Sequence, residues 1–188
     1  GTLVEKCCHY FDLINLMAET RIDNVYAVSG QAVNFIDFTY EGKDSDIHDH
    51  AFVVMQFAGG ISASFTLNMF SRELYEELSV TGKNGRLLAS EHSSFTPGSR
   101  SRAEIMVEVN GHSAYQGKEV TYPAQIEASG HQGATFFEHE AFIDQLEGKP
   151  HDSASCEQGM WAILIASAAQ QSAAAGQLIS VKDFAAEQ

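Results

Sequence analysis

Residues 52–69 read FVVMQFAGGISASFTLNM. Ile61, Ala63, Phe65 and Leu67 alternate with Ser62, Ser64 and Thr66. Successive strand side chains point to opposite faces, so this alternation predicts a strand with one face buried and one face in water. Residues 52–57 form a second apolar run, and Gly59-Gly60 between the two is a good hairpin turn pair. The stretch therefore predicts an antiparallel hairpin.

Working outward, more strands follow. Residues 78–81 and 86–89 flank Lys83-Asn84-Gly85, where Asn-Gly signals a tight turn. Residues 105–109 and 120–122 read as two further strands, and residues 25–28 as a short one before the hairpin. The acids from Glu73 to Glu77 suit a solvated strand edge. Residues 30–49 are polar and irregular, long enough for a functional loop. Residues 91–102, rich in Ser with Pro97 and Gly98, read as another loop.

The two ends are helical. Residues 3–18 read as a helix, with Thr2 and Glu5 spaced as a capping box and Leu13, Leu16 and Met17 at helical spacing. Thr135 and Glu138 repeat the capping spacing, Phe142 and Leu146 share a face, and Gly148 with Pro150 ends that helix. Ser155 is placed to cap an Ala-rich helix that runs to about residue 175 and stops at Gly176, before a short strand at 179–181. Segregated helices and strands imply α+β, with a large, mostly antiparallel open-faced sheet and helices packed on one face. No β-α-β alternation and no Gly-x-Gly-x-x-Gly are present, so the chain shows no dinucleotide-binding domain of its own. We read residues 1–188 as a single domain.

Net charge is −14 with a pI near 4.8, a surface that repels phosphate backbones and argues against nucleic-acid partners. The longest apolar run, residues 160–169, is too short for a bilayer, which argues against membrane insertion. Three cysteines, two of them adjacent, do not form a disulfide framework; reduced thiols and a cytoplasmic location are expected.

Glu5, His9 and Asp12 stand four and three residues apart, one face of a continuous helix. A carboxylate one turn before a histidine orients its ring and sets its proton affinity. Glu5 also suits the cap with Thr2, and Asp12 also suits a backbone hydrogen bond. His131 lies between Gly130 and Gly133 at a helix start, as a ligand contact or a plain loop residue; Glu138 is first explained as a cap. His48 and His50, with Asp46 or Asp49, are a minor metal-ligand alternative, and Glu138-His139-Glu140 is a weaker one. No Gly-x-Ser-x-Gly elbow supports serine nucleophile chemistry.

The opening GTLVEKCCHYFDL resembles the Gly-x-Leu-x-Asp-x-Gly-x-His-x-x-Asp segment of the Gfo/Idh/MocA oxidoreductases. DHAFVVMQFAGGISASFTLNMF is similar to that family's hairpin, EELSVTGKNGRLLA to its next strand pair, and residues 142–181 to its C-terminal helices and last strand. The order of these segments is the family's order. The resemblance implies the family's C-terminal, dihydrodipicolinate-reductase-like domain, preceded in the family by a Rossmann domain that holds NAD or NADP. It implies a sugar-, polyol- or inositol-like substrate between the domains, and a homo-dimer or tetramer through the open sheet face. It assigns catalysis to His9 with Glu5, and substrate contact to Asp12 and His131. Glu5 replaces the family's usual Asp, and Cys7 stands where Gly is common. Lys6 does not match the family's catalytic lysine, which belongs to the Rossmann domain. The isolated chain is expected to be inactive. A non-catalytic ligand-binding or dimerisation module is the alternative, and a metal-dependent lyase or hydrolase a more distant one.

Overall fold

A computed structural model describes residues 1–94, 96, 101–109 and 116–187. The elements begin with α1 (Thr2–Glu5), α2 (Cys8–Ala18), β1 (Ile22–Gly30), β2 (Thr39–Tyr40), β3 (Lys43–Asp44), β4 (His50–Phe57) and β5 (Ser62–Asn68). Next come β6 (Glu73–Gly82), β7 (Gly85–Ser94), β8 (Arg102–Val109), β9 (Gln116–Val120), α3 (Ala124–Glu127) and α4 (Ala134–Leu146). The chain closes with α5 (Cys156–Ala175), β10 (Ile179–Ser180) and α6 (Val181–Ala186). The fold is α+β, with every strand pair antiparallel. The strands are hydrogen-bonded as two four-stranded ladders and one small hairpin, β2-β3.

Two compact units result: Gly1–Phe70 with Ala154–Gln188, and Ser71–Ser153. The first carries the ladder β10-β1-β4-β5. Its inner face comes from Val25 and Ala27 of β1 and Ala51, Val53 and Met55 of β4, all buried. Helix α5 packs on β1 through Ile165, Ala166 and Ala169. Small alanine side chains let the helix approach the sheet closely. Buried Ser172 completes the seam: its hydroxyl accepts from the Ala27 amide at 2.9 Å and donates to the Gln177 carbonyl at 2.5 Å. That gives a buried strand amide the partner it needs. The hairpin of residues 52–69 forms as read, with Gly59 and Gly60 at positive φ in its turn.

The second unit carries the ladder β6-β7-β8-β9. The acids 73–77 lie on its edge strand β6, as expected. The turn Lys83-Asn84 joins Gly82 to its partner Gly85. Gly85 is required by its neighbour rather than by its own φ: a Cβ there would overlap the Glu108 carbonyl oxygen. The loop expected at 91–102 is partly wrong, because 91–94 continue β7; its residues 95 and 97–100 lie outside the described residues.

The helix caps differ from those the sequence suggests. The helix expected over 3–18 breaks: Lys6 caps the end of α1 and Cys7 the start of α2. No capping box joins Thr2 and Glu5, because Gly1 is the N-cap and the Thr2 hydroxyl donates instead to the His48 carbonyl at 2.7 Å. Nor does Thr135 cap its helix, which starts one residue earlier behind Gly133 at φ 98°. Ser155 does cap α5, in a full capping box with Gln158. The last strand stops at Ser180, whose hydroxyl accepts from Asp183 and starts α6. Neither α3 nor α6 is foreseen from the sequence.

Candidate active-site helix and its bracket

Helix α2 is seated by its inner side chains. Cys7 and Phe11, four residues apart, are both fully buried, and Tyr10 and Phe11 each place a ring 5.3 Å from that of Phe65 on β5. Burial, then the charge of Cys8, pushes the Cys7 thiol up to about 12 against a small opposing pull from Lys6. Cys7 is therefore packing material and not a nucleophile. His9, two residues from each inward neighbour, points away from the core and is exposed. Asp12 is half-buried, and Glu5 on α1 is exposed. The break at Lys6–Cys7 puts Glu5 and His9 in separate helical segments, and no hydrogen bond or ion pair joins them among the described residues. His9 and Asp12 thus share α2, while Glu5 stands on α1 across the break.

Beside α1 lies a polar hub that the sequence reading treated as a minor metal alternative. Asp49 is fully buried at the start of β4. Its carboxylate accepts from the amides of Ala32 at 3.0 Å, Val33 at 2.7 Å and Asn34 at 2.7 Å, and pairs with His50 Nδ1 at 2.9 Å. Burial pushes its carboxyl up, but the His50 bond and the three amides outweigh burial and hold it well below the usual carboxylate range. The His48 ring meets the Ser29 hydroxyl at 2.8 Å through Nδ1. Asn34 donates from its side chain to the Met69 carbonyl at 2.8 Å. Asp49 thus serves as an internal anchor for loop backbone, with His48 and His50 each engaged at Nδ1 by a protein partner. Among the described residues no three His, Cys, Asp or Glu side chains converge as metal ligands. A buried acid directly before an apolar alternation, following a long polar loop, is the signal that marks such an anchor; Ser29 and Asn34 give none.

His131 lies in the second unit, exposed, in a left-handed conformation at φ 48° between Gly130 and Gly133. Glu91 on β7 stands directly across from Glu76 on β6. Partial burial and then Glu76 raise the Glu91 carboxyl, and His131 draws it partly back. Glu138 and His139 lie exposed on α4.

A sequence model described as the C-terminal alpha/beta domain of the oxidoreductase family matches residues 1–182. The chain belongs to the Gfo/Idh/MocA oxidoreductase family. Solved structures agree on the Gfo/Idh/MocA fold. Levoglucosan dehydrogenase in complex with NADH aligns at TM-score 0.74 and 17% identity, over 96% of this chain and 50% of that one. Aldose-aldose oxidoreductase from Caulobacter crescentus, complexed with glycerol, aligns at TM-score 0.63 and 13% identity, over 96% and 47%. The WlbA dehydrogenase from Bordetella pertussis, in complex with NADH and UDP-GlcNAcA, aligns at TM-score 0.60 and 14% identity, over 96% and 46%. The chain spans about half the length of each of these proteins. No curated protein matches the sequence. With antiparallel pairing throughout and no glycine-rich strand-to-helix crossover, the described residues form no dinucleotide cradle of their own. No described helix is long and apolar enough to cross a membrane.

Proposed function

We propose that this chain is the substrate-binding part of an NAD(P)-dependent dehydrogenase of a sugar, polyol or inositol-like hydroxy compound. One observation carries the reading: α2 buries Cys7 and Phe11 and leaves His9 exposed, at the place where the family resemblance assigns catalysis. His9 takes the proton of the substrate hydroxyl. A nicotinamide, held by a Rossmann domain outside this chain, supplies the hydride acceptor for such a reaction. Glu5 orients His9, and Asp12 contacts a substrate hydroxyl; His131, in the second unit, stands as a separate candidate for ligand contact. The isolated chain is inactive in this reading.

The open face of the first sheet supports an oligomer. Tyr26, Val28, Phe52 and Val54 form a contiguous apolar patch on it, with Val28 51% and Phe52 56% exposed and paired across strands. An apolar patch at the centre of a sheet is a common dimer surface. Three free thiols suit a cytoplasmic location.

The test is NAD(P) reduction by the full-length protein against a panel of sugars and polyols, wild type beside His9→Ala. We expect activity to fall by about a hundredfold or more in the variant, with cofactor binding intact. Activity indifferent to His9 overturns the assignment. The separation of Glu5 from His9 favours one second reading, a ligand-binding module without chemistry. Binding of nicotinamide and sugar with no hydride transfer, in any substrate tested, selects that reading.

A further inference from the structure

We infer that Thr2 is a positioning residue for the Glu5–His9 pair, acting through the His48 carbonyl; this rests on the catalytic reading above. The two helical segments are held very differently. Helix α2 is locked by Cys7 and Phe11, both fully buried. Helix α1 is a single turn with no side-chain cap, and Glu5 at its end is exposed. One turn of helix is unstable by itself, because the nucleus is costly. Leu3 anchors one side of that turn in the core. Thr2, 6% exposed, adds a polar tie beside it, its hydroxyl donating to the His48 carbonyl at 2.7 Å.

The acceptor is itself rigid. The His48 ring is held by Ser29, and the next residue, Asp49, is fastened to three loop amides and to His50. The Asp49 amide also donates to the Gly30 carbonyl, and its carbonyl accepts from Met69, both at 2.9 Å. The His48 carbonyl is therefore a fixed point set by the ends of β1, β4 and β5. Thr2 transmits that fixed point to α1 and thus to Glu5, whereas His9 takes its place from α2. With Leu3 in the core and α5 packed against the turn, the hydroxyl adds the polar tie that fixes how Glu5 is placed relative to His9.

The test is made in the full-length protein, with Thr2→Val, which keeps the shape and removes the donor, and Thr2→Ser, which restores it. Small misplacement of an acid/base partner is costly in rate. We expect Thr2→Val to lower kcat by about tenfold with KM changed less than about twofold. The pH midpoint of kcat/KM should move the way Glu5→Gln moves it. The double variant Thr2→Val, Glu5→Gln should be no slower than Glu5→Gln alone, since both act on one pair. Thr2→Ser should recover most of the rate. An unchanged rate and midpoint in Thr2→Val, or effects that multiply in the double variant, overturns the inference.

Hydrogen exchange separates this from failure of the catalytic reading. Thr2→Val should speed exchange at the amides of Val4, Glu5 and Lys6, which close the first turn, and leave Tyr10 and Phe11 unchanged. Were His9→Ala to keep full activity, the catalytic reading would fail while this exchange pattern still decided whether Thr2 holds α1. Unchanged exchange in all five amides overturns the tie itself.

Discussion

The two units of this chain have the same kind of sheet and very different interiors. Among the described residues, every buried apolar side chain belongs to the first unit: Leu3, Cys7 and Phe11, then β1 and β4, then α5 and Val181. The second unit has a ladder of equal strand number, yet Ile105, Val107 and Val109 on β8 stay exposed. Its helix α4 leaves Phe142 56% and Leu146 71% exposed. A sheet becomes a core only when something apolar covers it. In the first unit α5 supplies that cover from the far end of the chain. Strand pairing alone, as the second unit shows, satisfies the backbone without burying the side chains.

The contrast is exposed to experiment at several points. The largest expected effect is on thiol chemistry. If the first unit's interior is closed, Cys7, pushed up to about 12, stays protonated at pH 8 and reacts with a thiol reagent at least about a hundredfold more slowly than exposed Cys156. Mass spectrometry of labelled peptides with time reads this directly. Equal rates would mean that the interior opens readily, and the contrast between the units would vanish.

Next comes cavity cost. Ile165→Ala in the first core should destabilise by about 2–5 kcal/mol, whereas Ile105→Ala in the second unit should cost less than about 1 kcal/mol. Urea titrations of both variants measure the difference. A costly Ile105→Ala would show that β8 is covered in solution.

A smaller effect concerns acid. Folding lowers the Asp49 carboxyl below its ordinary value, so its contribution is complete above the unfolded range near about pH 4 and is lost as pH falls below it. Asp49→Asn should therefore lower Tm by about 5 °C at neutral pH, with the gap to wild type closing below about pH 4. Thermal scans across pH check the sign: a gap that widens on acidification would place the stabilising charge elsewhere. The smallest effect is expected on α4, where Phe142→Ser should leave stability within about 0.5 kcal/mol of wild type. A large loss there would mean that α4 is buried in the assembled protein.

What the sequence made legible follows from the range of each force. The hairpin at 52–69 and the cap at Ser155 depend on neighbours a few residues away, and both were readable; the reciprocal bond from Gln158 was not read. The break at Lys6–Cys7 was not, because residues 3–18 keep a helical apolar pattern across it; burial of Leu3, Cys7 and Phe11 settles each segment separately. Thr2 had the right chemistry for a cap, but its hydroxyl found a carbonyl 46 residues away. Side-chain hydroxyls choose among partners that only the folded chain brings near. His9 was picked out from the opening motif and stands exposed on α2. That Glu5 falls in a separate helical segment was not legible, since the apolar pattern runs on through the break.

The first unit is assembled from Gly1–Phe70 and Ala154–Gln188, with the second unit lying between them in the chain. During synthesis, β1, β4 and β5 leave the ribosome well before the helix that covers them. At ordinary elongation rates that interval is roughly 5–20 s. Throughout it, the inner faces of β1 and β4 have no α5 to rest on. A nascent chain in that condition is a natural client for a holding chaperone, and a ribosome stalled just before α5 would leave a polypeptide whose sheet is formed in pattern and bare in fact.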